Sequence, residues 1–245
     1  MDNPNIFLDT CVILYREFSR DKNKTDIIEE FLKQKNVITS TYVNMELNRT
    51  YFKDSHILYT MLQEHGSLEK VRERIEKIHF RREKERLGFI YERITADSFN
   101  LHEAKIRLER LIKWYHTILL RGVNVILSKT ECEQCLPRRN FKCRGSKSMC
   151  RVNEVVEENK VSFEAIRRKF LENLQKDITR LRICRVIAEI VEVPDRIKQN
   201  PDKCFCLGDI LIALDVPEGF DLVSEDKHFL FICDVLNIPF CQIGL

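Results

Sequence analysis

Glycine and proline are scarce in this 245-residue sequence, which contains seven of the first and six of the second. No proline occurs between Pro4 and Pro137, so nothing interrupts long helices in that stretch. Long apolar runs are also missing, which predicts no membrane-spanning helix and no membrane partner. Because the first residues lack a basic segment followed by an apolar one, we expect no secretory signal and an intracellular, cytoplasmic location. Disulfides are then not expected for the ten cysteines.

The composition is that of a globular protein, with 44% apolar and 32% charged residues. Strand and helix patterns alternate in residues 1–65. The almost continuous apolar run at residues 6–14 is typical of a strand buried on both faces, and residues 37–40 predict a second strand. A helix is predicted between them, and Thr41 can cap the next one. This alternation predicts an α/β fold with a parallel sheet.

The α/β pattern returns in residues 194–245, after a long interruption. It predicts a helix from residue 208, a strand at 221–224, a helix at 227–236 and a last strand at 240–243. We therefore assign residues 1–65 and 194–245 to two parts of one core.

Residues 66–193 are predicted to form a mostly α-helical insertion. Their apolar residues step by three and four, and the pattern predicts long helices at 101–120 and 163–191 that pack as an antiparallel hairpin or small bundle. Residues 66–190 hold 29 Lys and Arg against 18 Asp and Glu, whereas the rest of the chain holds 12 against 20. A basic insertion thus interrupts an acidic core, and basic surface attracts phosphate. Solvated helices are often rich in lysine and arginine without binding anything, so this alternative stays open.

Four acids are positioned to meet at one edge of the predicted sheet: Asp9, Glu46, Asp209 and Asp226. Ligands of open α/β sheets bind beyond the carboxyl ends of the strands. Asp9 lies late in the first predicted strand and Asp226 lies two residues after the strand that ends at Ser224, whereas Glu46 and Asp209 lie in the first turns of helices. Carboxylates packed together repel one another, and Mg²⁺ or Mn²⁺ relieves that repulsion. Such a metal site supports hydrolysis of a phosphodiester bond. Taken singly, each acid could equally cap a helix or face solvent.

The order of these acids and their sequence contexts resembles the PIN-domain nuclease family. The matching motifs are Ile-Phe-Leu-Asp9-Thr10 at the start, Glu46 in Tyr-Val-Asn-Met-Glu-Leu, Asp209 in Gly-Asp-Ile-Leu-Ile-Ala, and Ser224-Glu-Asp226 near the end. The resemblance covers residues 1–60 and 200–245. It implies a PIN-like α/β/α sandwich, a metal-dependent endonuclease, and Asp9, Glu46, Asp209 and Asp226 as its Mg²⁺- or Mn²⁺-binding acids. It also implies that Thr10 and Ser224 are the hydroxyl residues that assist them.

Two features depart from the family pattern. The helical region is much larger than a compact PIN domain carries, and position 11 is a cysteine where many relatives have a small polar residue. Neither departure removes an acid, but the insertion leaves the substrate open.

A second metal site is predicted from the cysteines between the long helices. Cys132, Cys135, Cys143 and Cys150 form a C-x2-C-x7-C-x6-C pattern within the Cys-rich loop 129–151. Four thiolates in a short loop can hold a tetrahedral Zn²⁺, and we predict a structural zinc site. An iron–sulfur cluster, unliganded thiols and disulfides are the alternatives.

The same loop displays basic residues that we expect to bind substrate: Arg138, Arg139, Lys142 and Arg144. His228 could touch a substrate phosphate, although a packing or surface role is the more ordinary one for a lone histidine.

The sequence therefore predicts a metal-dependent endonuclease whose basic insertion binds nucleic acid, with RNA preferred because it is the commoner substrate in the family. A DNA nuclease of the same fold is one alternative. A non-catalytic PIN scaffold that binds a protein partner through the insertion is another. The insertion is also the candidate surface for a homo-oligomer. Toxin, defence effector and processing enzyme all fit the same residues.

Overall fold

The computed structural model describes residues 4–19, 21–96, 100–131, 150–174, 177–199 and 202–245. The chain forms two compact units, one of Met1–Glu46 with Gly122–Leu245 and the other of Leu47–Arg121. The division of the sequence at 65/66 and 193/194 rests on charge and periodicity rather than on contacts, and it stays a prediction.

The first unit contains a five-stranded parallel sheet. Its strands are β1 (Asn5–Leu8), β2 (Asn36–Ser40), β3 (Asn124–Ile126), β4 (Asp221–Val223) and β5 (Phe240–Cys241). Their order is β3-β2-β1-β4-β5, and every neighbouring pair is parallel. The central strand β1 is buried from Ile6 to Leu8, with Phe7 opposite Ile38 on one side and Leu222 on the other. The predicted α/β class with a parallel sheet is confirmed, and the architecture is consistent with an α/β/α sandwich.

Helices alternate with these strands or form separate runs along the chain. In chain order they are α1 (Thr10–Phe18), α2 (Lys22–Leu32), α3 (Thr41–Leu47), α4 (Lys53–Glu64), α5 (Leu68–Glu76), α6 (Arg81–Thr95), α7 (Leu101–Leu119), α8 (Val152–Glu158), α9 (Lys160–Glu172), α10 (Ile178–Glu192), α11 (Arg196–Gln199), α12 (Asp202–Cys206), α13 (Gly208–Asp215) and α14 (His228–Leu236). A π-helical turn, Asn48–Phe52, joins α3 to α4. Within the described residues, no helix is both long and apolar enough to cross a membrane.

The second unit is helical and has its own apolar core. Leu58 and Leu62 of α4, Val71 of α5 and Leu87 of α6 are fully buried there. The carboxylate of Asp54 is also fully buried, and the Arg86 guanidinium pairs with it. A buried charge needs such a partner, so this ion pair fixes how α4 and α6 pack.

The strand order creates a topological switch point between β1 and β4. The chain passes from β1 outward to β2 and β3, and later continues on the other side of β1 with β4 and β5. Helices that connect strands in opposite directions leave a crevice at the carboxyl ends of the two central strands, and this crevice is where open α/β sheets bind ligands. The residues that directly follow β1 and β4 are Asp9 and Ser224.

Several predicted elements differ from the observed ones. The apolar run at residues 6–14 is not one strand, because Asp9 ends β1 and caps α1, so residues 10–14 are helical. The predicted helix at 163–191 is two helices, α9 and α10. Strand β3 was not predicted, since its burial is low and three residues carry little periodicity.

Candidate metal centre

Asp9 is the central acid of the site. Its backbone leaves β1 with φ −78° and ψ 161°, and its amide donates to the carbonyl of Val223 at 3.1 Å. Its side chain accepts a hydrogen bond from the Cys11 amide at 3.4 Å, which caps α1. Asp9 is only 5% exposed, so its carboxylate is held in a nearly dry place.

Ser224 connects Asp9 with Asp226. Its hydroxyl donates to Asp9 Oδ2 at 2.8 Å and accepts from the Asp226 amide at 3.0 Å. Ser224 is fully buried, directly after β4. The predicted hydroxyl residue is therefore beside the predicted acids, and its two hydrogen bonds fix the turn that presents Asp226.

Thr10 and Glu46 form the second link. The Thr10 hydroxyl donates to Glu46 Oε2 at 2.8 Å, from the first turn of α1 to the last turn of α3. Glu46 also lies against Gly208, because a β-carbon added to that glycine would overlap Glu46 Oε1. Gly208 directly precedes Asp209, so the Glu46 carboxylate lies between Thr10 of α1 and the first residue of α13.

Asp209, Asp226 and His228 offer ligand atoms that all lie within 4.8 Å of one another. His228 Nδ1 is 3.1 Å from Asp209 Oδ2 and 3.5 Å from Asp226 Oδ1. The side chain of Asp209 is 30% exposed, that of Asp226 is 45% exposed and that of His228 is 12% exposed. The group therefore opens to solvent on the side of the two carboxylates.

The electrostatics show that the acids act on one another. Burial raises the pKa of Asp9 to about 6; hydrogen bonds from Cys11 and Ser224 oppose the rise, and the charge of Asp209 adds to it. Burial also raises the pKa of Asp209, with a further contribution from Asp226 and an opposing one from His228. Carboxylates that raise each other's pKa are a set that a cation would stabilise.

His228 is surrounded by acids. The hydrogen bond to Asp209 raises its pKa against the effect of burial, and the charges of Asp226, Asp209 and Asp177 add to the rise. Its Nε2 lies 3.5 Å from Asp177 Oδ2, and its ring packs against Phe170 with 5.8 Å between centroids. His228 therefore packs as expected, against Phe170, and it also contacts two predicted metal ligands, Asp209 and Asp226.

Sequence reasoning did not assign Asp177 to the site. Asp177 caps α10, accepting from the amides of Thr179 and Arg180. A helix cap is its obvious role in the sequence, and only the tertiary structure, in which α9 packs against both α10 and α14, brings it to His228. The spacing of Asp226 and His228, two residues apart before a helix, was the one signal that could have identified His228 as a member of the site.

The remaining predicted site residues fall on the Cys-rich loop. Cys132, Cys135, Arg138, Arg139, Lys142, Cys143 and Arg144 lie outside the described residues. Cys150 is described and is partly exposed. The zinc site and the basic substrate contacts therefore stay predictions.

The two ends of that loop are held side by side. The Arg151 amide donates to the Thr130 carbonyl at 3.0 Å, and the Arg151 guanidinium lies 3.4 Å from Glu131 Oε1. On the inner side, buried Asp215 accepts from the Ser128 hydroxyl at 3.1 Å and from the Lys129 amide at 2.8 Å. Because Asp215 is the last residue of α13, the helix that begins with Gly208 and Asp209 also anchors the start of the loop.

The chemistry of the donor set fits a divalent cation. Carboxylate oxygens suit Mg²⁺ and Mn²⁺, whereas an imidazole nitrogen suits the transition metals better than Mg²⁺. Asp209, Asp226 and His228 could hold such an ion, and Asp9 is close enough to Asp209 for their charges to interact.

Comparisons of this chain with family models, with curated proteins and with solved structures give no match.

Proposed function

We propose that this protein is a PIN-like, metal-dependent endonuclease that hydrolyses phosphodiester bonds, with RNA as its preferred substrate. The observation that carries the proposal is the gathering of Asp9, Asp209 and Asp226 at the switch point of the parallel sheet, with Glu46 beside them. These acids come from distant parts of the chain, and burying or clustering them costs free energy that a bound cation offsets.

In this proposal, Asp209 and Asp226 bind the ion together with His228, and Asp9 and Glu46 complete the negative site. A bound divalent ion lowers the pKa of a water and stabilises charge on the leaving oxygen. Ser224 holds Asp9 and the Asp226 amide in place, and Thr10 holds Glu46. The hydroxyls thereby position carboxylates that would otherwise move apart under their own repulsion.

The imidazole makes Mn²⁺ the better supported ion of the two. Mg²⁺ takes oxygen ligands almost exclusively in proteins, so a nitrogen donor lowers its relative affinity. We therefore propose Mn²⁺ at the acidic site, with Mg²⁺ as a weaker substitute.

Substrate binding is assigned to the basic residues of the Cys-rich loop, and Zn²⁺ to its four cysteines. The hydrogen bond between Thr130 and Arg151 holds the two ends of the Cys-rich loop together, close in sequence to Cys132 and Cys150. This supports the proposal that cysteines from both ends of the loop bind one zinc ion. A zinc-held loop would display Arg138, Arg139, Lys142 and Arg144 at fixed positions, and these would neutralise phosphates.

The experiment is a cleavage assay with the full chain on circular and linear single-stranded RNA and on DNA of the same sequence. Mn²⁺, Mg²⁺ and chelator are compared at the same ionic strength. The proposal expects Mn²⁺-dependent opening of the RNA circle, because a circle has no end for an exonuclease. Opening of the DNA circle alone would favour the DNA nuclease. Absence of cleavage from both, in metal-loaded folded protein, would contradict the enzyme and favour the scaffold.

A further inference from the structure

Helix α1 presents an aromatic side chain to solvent beside the acidic site. Val12 and Ile13 of this helix are fully buried in the core, whereas Tyr15 is 41% exposed. A partly exposed tyrosine ring is a contact surface for a flat ligand, since an aromatic face stacks well on a nucleobase.

The position of Tyr15 relative to the acids follows from Cys11, one helical turn earlier. Cys11 Sγ lies 3.3 Å from the Ser224 hydroxyl and 3.3 Å from the Glu225 amide, so it touches the turn that carries Asp226. Helical side chains lean toward the helix N-terminus, which directs the Tyr15 side chain toward the turn of Cys11. Burial raises the pKa of Tyr15, and the charges of Cys11, Glu225 and Asp226 raise it further, which agrees with this position.

A positive charge accompanies the ring. Lys24 of α2 places its Nζ over the Tyr15 ring, 5.7 Å from the ring centre, and α1 packs against α2. The carboxylates next to the ring repel phosphate, so a strand that approaches them gains from a cation at the edge of the site. An ammonium beside an aromatic face combines the two contacts with which proteins bind single strands: a phosphate contact and a stacked base.

We infer that Tyr15 and Lys24 form a platform on which one base of a single-stranded nucleic acid stacks beside the scissile phosphate. The inference rests on the proposed nuclease function and adds a base-binding subsite to it. In a duplex both faces of each base are covered by neighbouring bases, so the platform selects single strands, loops or frayed ends. Stacking is tolerant of sequence, because every base offers an aromatic face.

The test uses steady-state cleavage by the full chain with Mn²⁺, on an RNA oligonucleotide with one cleavage site and on the DNA oligonucleotide of the same sequence. Tyr15→Ala is expected to raise KM by about 5- to 100-fold, the range of one lost base stack, while kcat falls by less. Tyr15→Phe keeps the ring and should recover most of the affinity. Lys24→Gln should raise KM and weaken its dependence on salt.

Two matched controls come from the same helix pair. Lys22→Gln removes the same charge at the exposed start of α2, and Ile27→Ala removes an exposed apolar side chain that is 46% accessible. Neither should change KM by more than about two-fold, which is within the range of ordinary surface substitutions.

A second measurement separates stacking from a general loss of affinity. Substrates with a single abasic residue are compared at each position within three nucleotides of the cut. One position should show a raised KM with the wild-type protein and no further rise with Tyr15→Ala, since the base and the ring form one contact.

The outcomes separate the two proposals. If the wild-type protein cleaves with Mn²⁺ but Tyr15→Ala keeps its KM, or if every abasic position is additive with Tyr15→Ala, the platform is wrong and the nuclease stands. If folded wild-type protein neither binds nor cleaves any of these strands, the nuclease fails and the platform fails with it.

Discussion

The hydroxyl of Ser224 donates a 2.8 Å hydrogen bond to the carboxylate of Asp9, and this contact joins the carboxyl ends of the two central strands. The two residues are 215 positions apart in the chain. Both are buried, so the bond operates where an unpartnered carboxylate is costly. The position of Asp9 in the candidate site therefore depends on the pairing of β1 with β4.

The first prediction concerns the acids. Asp9→Asn, Asp209→Asn and Asp226→Asn should each lower Mn²⁺-dependent cleavage by at least about 100-fold, because each removes a charge from the proposed acidic site. Asp221→Asn is the control, since Asp221 is exposed at the opposite, amino end of β4. Single-turnover rates with circular RNA measure the effect, and far-UV circular dichroism checks the fold. Wild-type rates for both Asp209→Asn and Asp226→Asn would show that the assigned site is wrong.

The second prediction concerns His228 as a metal-site residue. His228→Ala should weaken Mn²⁺ activation by about 10- to 100-fold and narrow the preference for Mn²⁺ over Mg²⁺, because the nitrogen donor is lost. The metal concentration that gives half-maximal cleavage reports the change. His102→Ala, an exposed histidine of α7, should leave it unaltered. An unchanged metal preference in His228→Ala would show that His228 is not a metal ligand and has only a packing role.

The third prediction uses a pair of helical glycines. A β-carbon at Gly208 would overlap the flexible end of Glu46, whereas one at Gly88 of α6 meets nothing within 4 Å. Gly208→Ala should therefore displace Glu46 and slow cleavage by about 10- to 100-fold, the cost of a misplaced group in the site. Gly88→Ala should leave cleavage unchanged and raise the free energy of unfolding by about 0.5–1 kcal/mol. Equal cleavage rates for Gly208→Ala and Gly88→Ala would contradict a role for Glu46 in the proposed site.

The fourth prediction concerns pH and stability without metal. Native Asp9 keeps its proton up to about pH 6, whereas the unfolded residue loses it near the ordinary value of 3.8. The raised pKa of Asp9 therefore stabilises the folded state fully below pH 3.8, and this contribution is lost as the pH rises through about 6. This amounts to roughly 3 kcal/mol of the free energy of unfolding.

Urea titrations in chelator at a series of pH values should show this loss in the wild-type protein. The free energy of unfolding of Asp9→Asn should lack this part of the pH dependence. Addition of Mn²⁺ above pH 6 should restore stability, because the ion favours the charged carboxylate. If the free energy of unfolding depends on pH in the same way for the wild-type protein and Asp9→Asn, the pKa of Asp9 is not raised in the folded state.

The fifth prediction concerns the Cys-rich loop. Freshly reduced protein should carry about one equivalent of zinc, and Cys132→Ser should lose it while the α/β unit stays folded. Metal analysis with a chromophoric chelator measures the zinc, and Cys241→Ser of β5 is the control. Iron with a visible absorption band would support the cluster instead. Protein free of both metals would exclude a metal site in the loop.

Local patterns were enough to predict much of the fold. The strand β1 was recognisable because apolar residues fill both of its faces, β2 and β4 because each contains a short apolar pair, and α7 because its apolar residues recur with helical spacing. The run at residues 6–14 was misassigned in part, because apolar content does not distinguish a buried strand from a buried helix. The polar Asp9 within it decided the boundary, since its carboxylate caps α1.

The sequence by itself singled out four acids as candidate site residues, Asp9, Glu46, Asp209 and Asp226, because they stand in apolar or strand-end surroundings. Only the tertiary structure decided that β4 pairs with β1, that Gly208 leaves room for Glu46, and that His228 meets Asp209 at 3.1 Å. The physical reason is that local patterns record burial and periodicity within one element. Contacts between elements depend on strand order and helix packing, which bring together residues that no short stretch of sequence relates.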